Sequence, residues 1–220
     1  MRSLKSFKSQ KKRPLPVILL ADVSGSMSVD GKIQSLNFAI REMIESLAEE
    51  SDVRAEIQLS IITFGGQANI HTPLSNVNSI SWTDMTASGG TPMGGAFQLC
   101  TTMFQDRNSI SGRAYRPTIV LVSDGQPTDD YGSALQALLS DERASKGFRM
   151  ALAIGDDADK RVLQEFLADA ENNRVFEANE ARRIRDFFQL VTMSVSSRSK
   201  SANPNSGNIL SHIPDLDWEL

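Results

Sequence analysis

Apolar residues recur along the chain in two alternating patterns. Pro16-Val-Ile-Leu-Leu-Ala21 is a continuous apolar run, which predicts a strand buried on both faces. Ile33, Leu36, Ile40, Met43 and Leu47 recur at helical spacing and predict an amphipathic helix of about four turns. Ala55 to Phe64 reads as a second strand, with Ile57, Leu59 and Ile61 on one face. Gly65-Gly66 then invites a tight turn into a short antiparallel partner, Ala68 to Thr72. After a polar loop, Thr91-Pro92 has the form of a helix N-cap followed by the favoured first helical residue. That helix continues through Phe97, Cys100 and Phe104. Beyond it the pattern predicts strands over 118–123, 149–154 and 174–176, and helices over 134–144, 162–170 and 182–194. The order βαββαβαβαβα places the chain in the α/β class. The expected architecture is a Rossmann-like, doubly wound, mostly parallel six-stranded sheet with one antiparallel strand and helices on both faces. Ligands of such sheets sit at the carboxyl ends of the strands, where strand order reverses.

Charge sharpens the domain picture. The formal net charge of the 220 residues is −4. Residues 1–13 carry +6, residues 14–197 carry −9 and residues 198–220 carry −1. The middle segment holds the secondary-structure signals and is expected to be the domain. Residues 1–13 read as a basic arm, by default disordered and solubilising. Residues 198–220 read as a flexible Ser- and Asn-rich linker, its composition already set from Ser194, and an acidic-hydrophobic peptide. Trp218, Ile213, Leu216 and Leu220 in that peptide suggest docking, either on this domain or on a partner. The acidic domain argues against a dedicated nucleic-acid binder. The single cysteine, Cys100, excludes an internal disulfide framework and a cysteine-based zinc cluster. Two histidines leave little for imidazole catalysis. The apolar run Val17 to Ala21 is too short for a membrane span or a signal peptide. The expectation is a soluble, cytoplasmic protein that is not an enzyme.

Three segments meet at the predicted strand ends: Asp22-Val-Ser24-Gly-Ser26-Met27, Gly89-Gly-Thr91-Pro-Met-Gly-Gly95 and Ser123-Asp124-Gly125. They supply two carboxylates and three hydroxyls, without sulfur or imidazole. Hard oxygen donors suit Mg²⁺, Mn²⁺ or Ca²⁺ rather than zinc or copper. Two carboxylates about 5 Å apart repel by roughly 3 kcal/mol at an effective dielectric of about 20. A divalent cation would turn that cost into attraction. Otherwise a proton or a distant lysine must compensate, because no lysine adjoins these loops in sequence. Any one loop taken alone reads equally well as a helix cap.

Asp22-x-Ser24-x-Ser26, followed by Thr91 and Asp124, resembles the metal-ion-dependent adhesion site of von Willebrand factor type A domains. The resemblance spans about residues 14–197. The surrounding text, Ala-Asp-Val-Ser-Gly-Ser-Met, Gly-Gly-Thr-Pro-Met-Gly-Gly-Ala and Val-Ser-Asp-Gly-Gln-Pro-Thr-Asp, looks most like the bacterial TerY-type group. That group is associated with tellurium resistance and stress-response operons. The resemblance implies that Ser24 and Ser26 coordinate a cation directly and that Thr91 does so directly or through water. It implies that Asp22 and Asp124 act mainly through bridging waters. It further implies an open coordination position filled by a partner protein's carboxylate, with a kinase or phosphatase of the same system among the partners.

Two other functions compete. A Mg²⁺-dependent phosphohydrolase or phosphotransferase of the haloacid-dehalogenase kind would use Asp22 as nucleophile. It would need a second Asp where Ser24 stands and a lysine near the third segment, neither of which the sequence shows. RNA binding is permitted by the basic arm and disfavoured by the acidic domain. Gly94 and Gly95 are expected either to permit close approach near the metal or to pack the helix tightly on the sheet. Asp129 and Asp130 are expected to lie in a solvated loop. Asp156, Asp157 and Asp159 are expected to cap a helix, Cys100 to be core, and His71 to have no role.

Overall fold

The computed structural model describes residues 12–206 apart from residue 52. Six strands form one sheet: β1 (Arg13–Asp22), β2 (Ala55–Gly65), β3 (Gln67–Asn76), β4 (Thr118–Ser123), β5 (Phe148–Ile154) and β6 (Val175–Ala178). Their order across the sheet is β3-β2-β1-β4-β5-β6. Only β3 runs antiparallel, as the Gly65-Gly66 turn predicts. The helices are α1 (Lys32–Ala48), α2 (Met93–Gln105), α3 (Gly132–Ser140), α4 (Lys160–Phe166) and α5 (Ala181–Lys200). This is the expected doubly wound sheet.

Strand β1 is central and hydrophobic on both faces because helices cover both. Leu15, Val17, Leu19 and Ala21 pack beneath α1 and α5, while Ile18 and Leu20 pack beneath α2, α3 and α4. The strand starts at Arg13 and includes two prolines that a central strand normally excludes. Register explains them. Pro14 and Pro16 pair with β2, whereas pairing with β4 begins only at Val17, so the second neighbour is absent where the prolines lie. Sheet order reverses at β1, which has β2 on one side and β4 on the other. Asp22 closes β1 and Asp124 follows β4, so both stand at this switch point.

Helix α5 corrects the sequence reading. It continues six residues beyond Ser194, to Lys200, through the stretch that composition marks as flexible linker. The reason is spacing: Phe187, Val191, Val195 and Arg198 extend one buried face, and the small Ser194, Ser196 and Ser199 are buried beside it. Residues up to Ser206 are also engaged, with Asn205 Oδ1 accepting from the Arg116 amide at 2.8 Å. At the other end Arg13 belongs to β1, donating to the Ala114 carbonyl and stacking 4.0 Å from the centroid of Tyr115. The basic arm over 1–11 and the docking peptide over 212–220 lie outside the described residues. Among the described residues, no helix is long and apolar enough to cross a membrane.

Candidate metal centre

The rim is assembled by backbone contacts between loops distant in sequence. The segment from Ile80 to Pro92 is held from both sides. The Asn37 side chain on α1 donates to the Met85 carbonyl and accepts from its amide, both at 2.9 Å. Farther along, the Ser88 amide donates to the Val23 carbonyl, the Gly25 amide to the Gly89 carbonyl and the Gly66 amide to the Gly90 carbonyl, at 2.8 to 2.9 Å. The close approach requires glycine at Gly89. Its φ is +73°, and a Cβ there would lie 2.5 Å from the Gly66 Cα. The β2–β3 turn, the end of β1 and the loop before α2 thus meet backbone to backbone.

Within this frame a chain of hydrogen bonds links most of the candidate residues. Asp22 Oδ1 accepts from the Ser24 amide at 2.8 Å, and Oδ2 accepts from the Ser123 hydroxyl at 2.5 Å. The Ser24 and Ser26 hydroxyls lie 2.9 Å apart. Ser26 in turn donates to Asp124 Oδ1 at 2.7 Å. Thr91 is brought in by proximity: a Cβ at Gly125 would lie 3.5 Å from the Thr91 hydroxyl oxygen and 3.8 Å from that of Ser26. Both hydroxyls therefore border the space over Gly125. Asp22 and Asp124 are each 0 % exposed. Burial pushes the Asp22 carboxyl above the ordinary carboxylate range, bonds from Ser123 and Ser24 offset part of that rise, and the Asp124 charge adds to it.

One expectation is corrected. Thr91 does not cap α2. The helix begins after Pro92, and Asp129 reaches across to accept the Gly94 and Gly95 amides at 2.9 Å each. Asp129 is thus an exposed loop residue, as expected, that also caps α2, and the Thr91 hydroxyl is left facing the rim. Thr91 is fixed instead through its backbone, donating to the Thr128 hydroxyl at 2.9 Å and accepting from the Thr128 amide. The tight fit of Gly94 against this loop follows, since a Cβ there would meet the Asp130 carbonyl at 2.6 Å. The charge is met by one of the alternatives left open, a lysine outside the loops. No lysine adjoins the loops in sequence, yet Lys32 at the start of α1 places its ammonium 2.8 Å from Asp124 Oδ2. Lys32 and Thr128 are the contributors that sequence reasoning misses, and Ser123 and Asp129 are named there without these roles. Of these, only Lys32 leaves a local signal: a cation in the first turn of a helix opposes the helix dipole unless an acid pairs with it. Of the three aspartates expected to cap the helix after β5, Asp159 alone does so. Cys100 is buried in the core, and His71 sits on the edge strand beside Trp82.

Among the described residues no three His, Cys, Asp or Glu side chains group as they would around a metal. Any cation at this rim would therefore be held by the mixed set of two carboxylates and three hydroxyls. That set fits a hard divalent cation. The two fully buried carboxylates are accompanied by one ammonium, on Asp124, so the cluster carries a formal charge of −1.

A sequence-family model described as von Willebrand factor type A domain matches residues 17–126, half of the chain. The chain belongs to the von Willebrand factor type A family. No curated protein matches this type A chain at a significant level. Solved structures share its fold at low sequence identity. The pilus adhesin SpaC from Lactobacillus rhamnosus GG, in an open conformation, superposes with a TM-score of 0.67 at 14 % identity, over 86 % of this chain and 31 % of the adhesin. A von Willebrand factor type A protein from Catenulispora acidiphila gives 0.62 at 17 % identity, over 84 % and 43 %. Proximal thread matrix protein 1 from the mussel byssus, in a form described with a zinc-occupied MIDAS motif, gives 0.59 at 14 % identity, over 83 % and 48 %. The type A chain thus spans between about a third and a half of the length of these structures.

Proposed function

We propose that this type A domain is a metal-dependent protein-interaction module rather than an enzyme. Asp22, Ser24, Ser26, Thr91 and Asp124 would hold a divalent cation, Mg²⁺ or Mn²⁺ and with less selectivity Ca²⁺. The cation would supply Lewis acidity toward an anionic group of a partner, of which a carboxylate is the simplest. The observation that carries this reading is the charge deficit at the switch point: two fully buried carboxylates among hydroxyls, with a single lysine, on Asp124. The chain's own residues prepare the site. Ser123 and the Ser24 amide orient Asp22, Ser26 orients Asp124, and Thr128 fixes the backbone of Thr91. The family membership and the zinc-occupied motif of the mussel protein support the same reading.

The unit carrying this function is read from the sequence as residues 14–197, and the packing of Arg198 and Asn205 extends it to Ser206. The text around the three segments supports a place near the TerY-type group. On that reading the module serves a cytoplasmic tellurite-resistance or stress-response assembly, with a kinase or phosphatase among its partners. The phosphohydrolase reading gains no support. Asp22 has no solvent exposure and is held by Ser123 and the Ser24 amide, an arrangement that suits positioning other donors rather than attack on phosphorus. Lys32 does supply a lysine at Asp124, but Ser24 still stands where the second acid is required. Nucleic acid is not the proposed partner.

Isothermal titration of Mg²⁺ into the whole chain and into Asp22→Ala tests the site. Saturable heat in the first and none in the second is expected, while equal heats would remove these residues from metal binding. Capture of cell proteins by the immobilised chain, with Mg²⁺ and again with chelator, tests the partner half. Partners retained equally under both conditions do not use the site.

A further inference from the structure

Lys32 is the first residue of α1, where the backbone dipole disfavours a cation and where no acidic residue of the same turn offsets it. Its stem crosses the rim toward the end of β5. A Cβ on Gly155 would lie 3.4 Å from the ammonium, an ordinary van der Waals contact, so the lysine's end packs against the turn after β5. The ammonium ends 2.8 Å from Asp124 Oδ2, on a carboxylate that is 0 % exposed, while the lysine side chain keeps 18 % exposure. The remaining Asp124 oxygen is taken by Ser26. Among the described residues, Lys32 is therefore the only cation within the hydrogen-bonded cluster, and it sits on the carboxylate that a metal would also need.

We infer that Lys32 is a tethered cation that competes with the divalent metal for Asp124 and so sets the affinity of the site. The inference rests on the metal-dependent reading above and deepens it. Without metal the lysine neutralises one of the two carboxylates and keeps Asp124 and Ser26 in place. With metal the same positive charge opposes the incoming ion and must shift, which its partial exposure permits. The loaded cluster then carries two positive charges from the ion and one from Lys32 against two carboxylates. Its formal charge changes from −1 to +1 on loading, and the positive remainder favours an external carboxylate. A lysine at this place thus weakens metal binding and strengthens the response of the loaded site to an acidic partner.

The test is isothermal titration of Mn²⁺ into the whole chain and into Lys32→Met, Lys32→Gln and Lys32→Arg, with folding of each followed by thermal melting in chelator. A unit charge a few ångströms from a divalent ion, well screened by solvent, changes affinity on the order of tenfold or more. Lys32→Met and Lys32→Gln are expected to bind Mn²⁺ more tightly by that factor, and Lys32→Arg close to the wild type. Glutamine can still donate to Asp124, so it separates charge from hydrogen bonding. Wild-type affinity in Lys32→Gln, or equal or weaker binding in both neutral variants, overturns the inference while leaving the metal site standing. Absence of Mn²⁺ heat from the wild type and from every variant overturns the metal site, and the inference with it.

Discussion

Both ends of the sheet bury formal charge, and they satisfy it in opposite ways. At the amino end of β4, Arg198 is only 1 % exposed. Its guanidinium donates to the Pro204 carbonyl at 3.0 Å, to the Thr118 hydroxyl at 2.6 Å and to the Arg116 carbonyl, and it stacks 4.0 Å from the centroid of Phe148. Burial, and the like charge of Arg116, pull it down to about 9, so it remains a cation at neutral pH. Each of its three nitrogens donates to a group of the chain itself. At the carboxyl end, Asp22 is equally buried, yet its bonds come from one hydroxyl and one amide, and the cluster's one ammonium sits on Asp124. A buried charge caged by carbonyls fastens the structure, here the end of α5 to β4. A buried charge left short of its counter-ion invites a ligand.

The largest test of this contrast is at the caged end. Arg198→Ala strands the Pro204 and Arg116 carbonyls and opens a cavity. It is expected to lower stability by about 3–5 kcal/mol in urea unfolding, with a metal response intact in the folded fraction. A loss below about 1 kcal/mol would show that the cage does not fasten α5. Gly89→Ala attacks the frame of the other end. It places a Cβ against Gly66 at a left-handed backbone angle and is expected to cost about 2 kcal/mol and to abolish metal-dependent stabilisation. Unchanged stability there would mean that the loops do not need their close approach. The smallest expected change is the most telling. In chelator, Asp22→Asn is expected to unfold at the same urea concentration as the wild type or a higher one. Because burial raises the Asp22 carboxyl, the folded chain holds that proton more tightly than the unfolded chain does. Its stabilising contribution, full below the ordinary value of 3.8, is lost as pH rises through the higher folded value. The Asn variant should lack that slope. A destabilisation as large as that of Arg198→Ala would erase the distinction between the two ends.

The two ends also differ in how far they can be read from the chain. Asp22, Ser24 and Ser26 are neighbours in sequence, and together with Thr91 and Asp124 their types point to hard oxygen donors. The Ser- and Asn-rich stretch after Ser194 hides its helix, because small polar residues carry no apolar signal. Only Val195 and Arg198, in step with Phe187 and Val191, betray the continuing face. Arg198 itself reads as a surface charge until Phe148 and Thr118 are placed beside it.

Sequence by itself determined the sheet, its one antiparallel strand and the set of oxygen donors at the strand ends. Those follow from local periodicity and from the rule that a doubly wound sheet gathers its strand ends on one rim. Tertiary structure alone decided which charges balance there. Lys32 reaches Asp124 across 92 positions of chain, and Asp129 takes over from Thr91 as the cap of α2 across 35. Neither pairing has a local signature strong enough to predict it. Each depends on where a helix start lands once its apolar face has packed, and that position is fixed by the core rather than by neighbours in the chain.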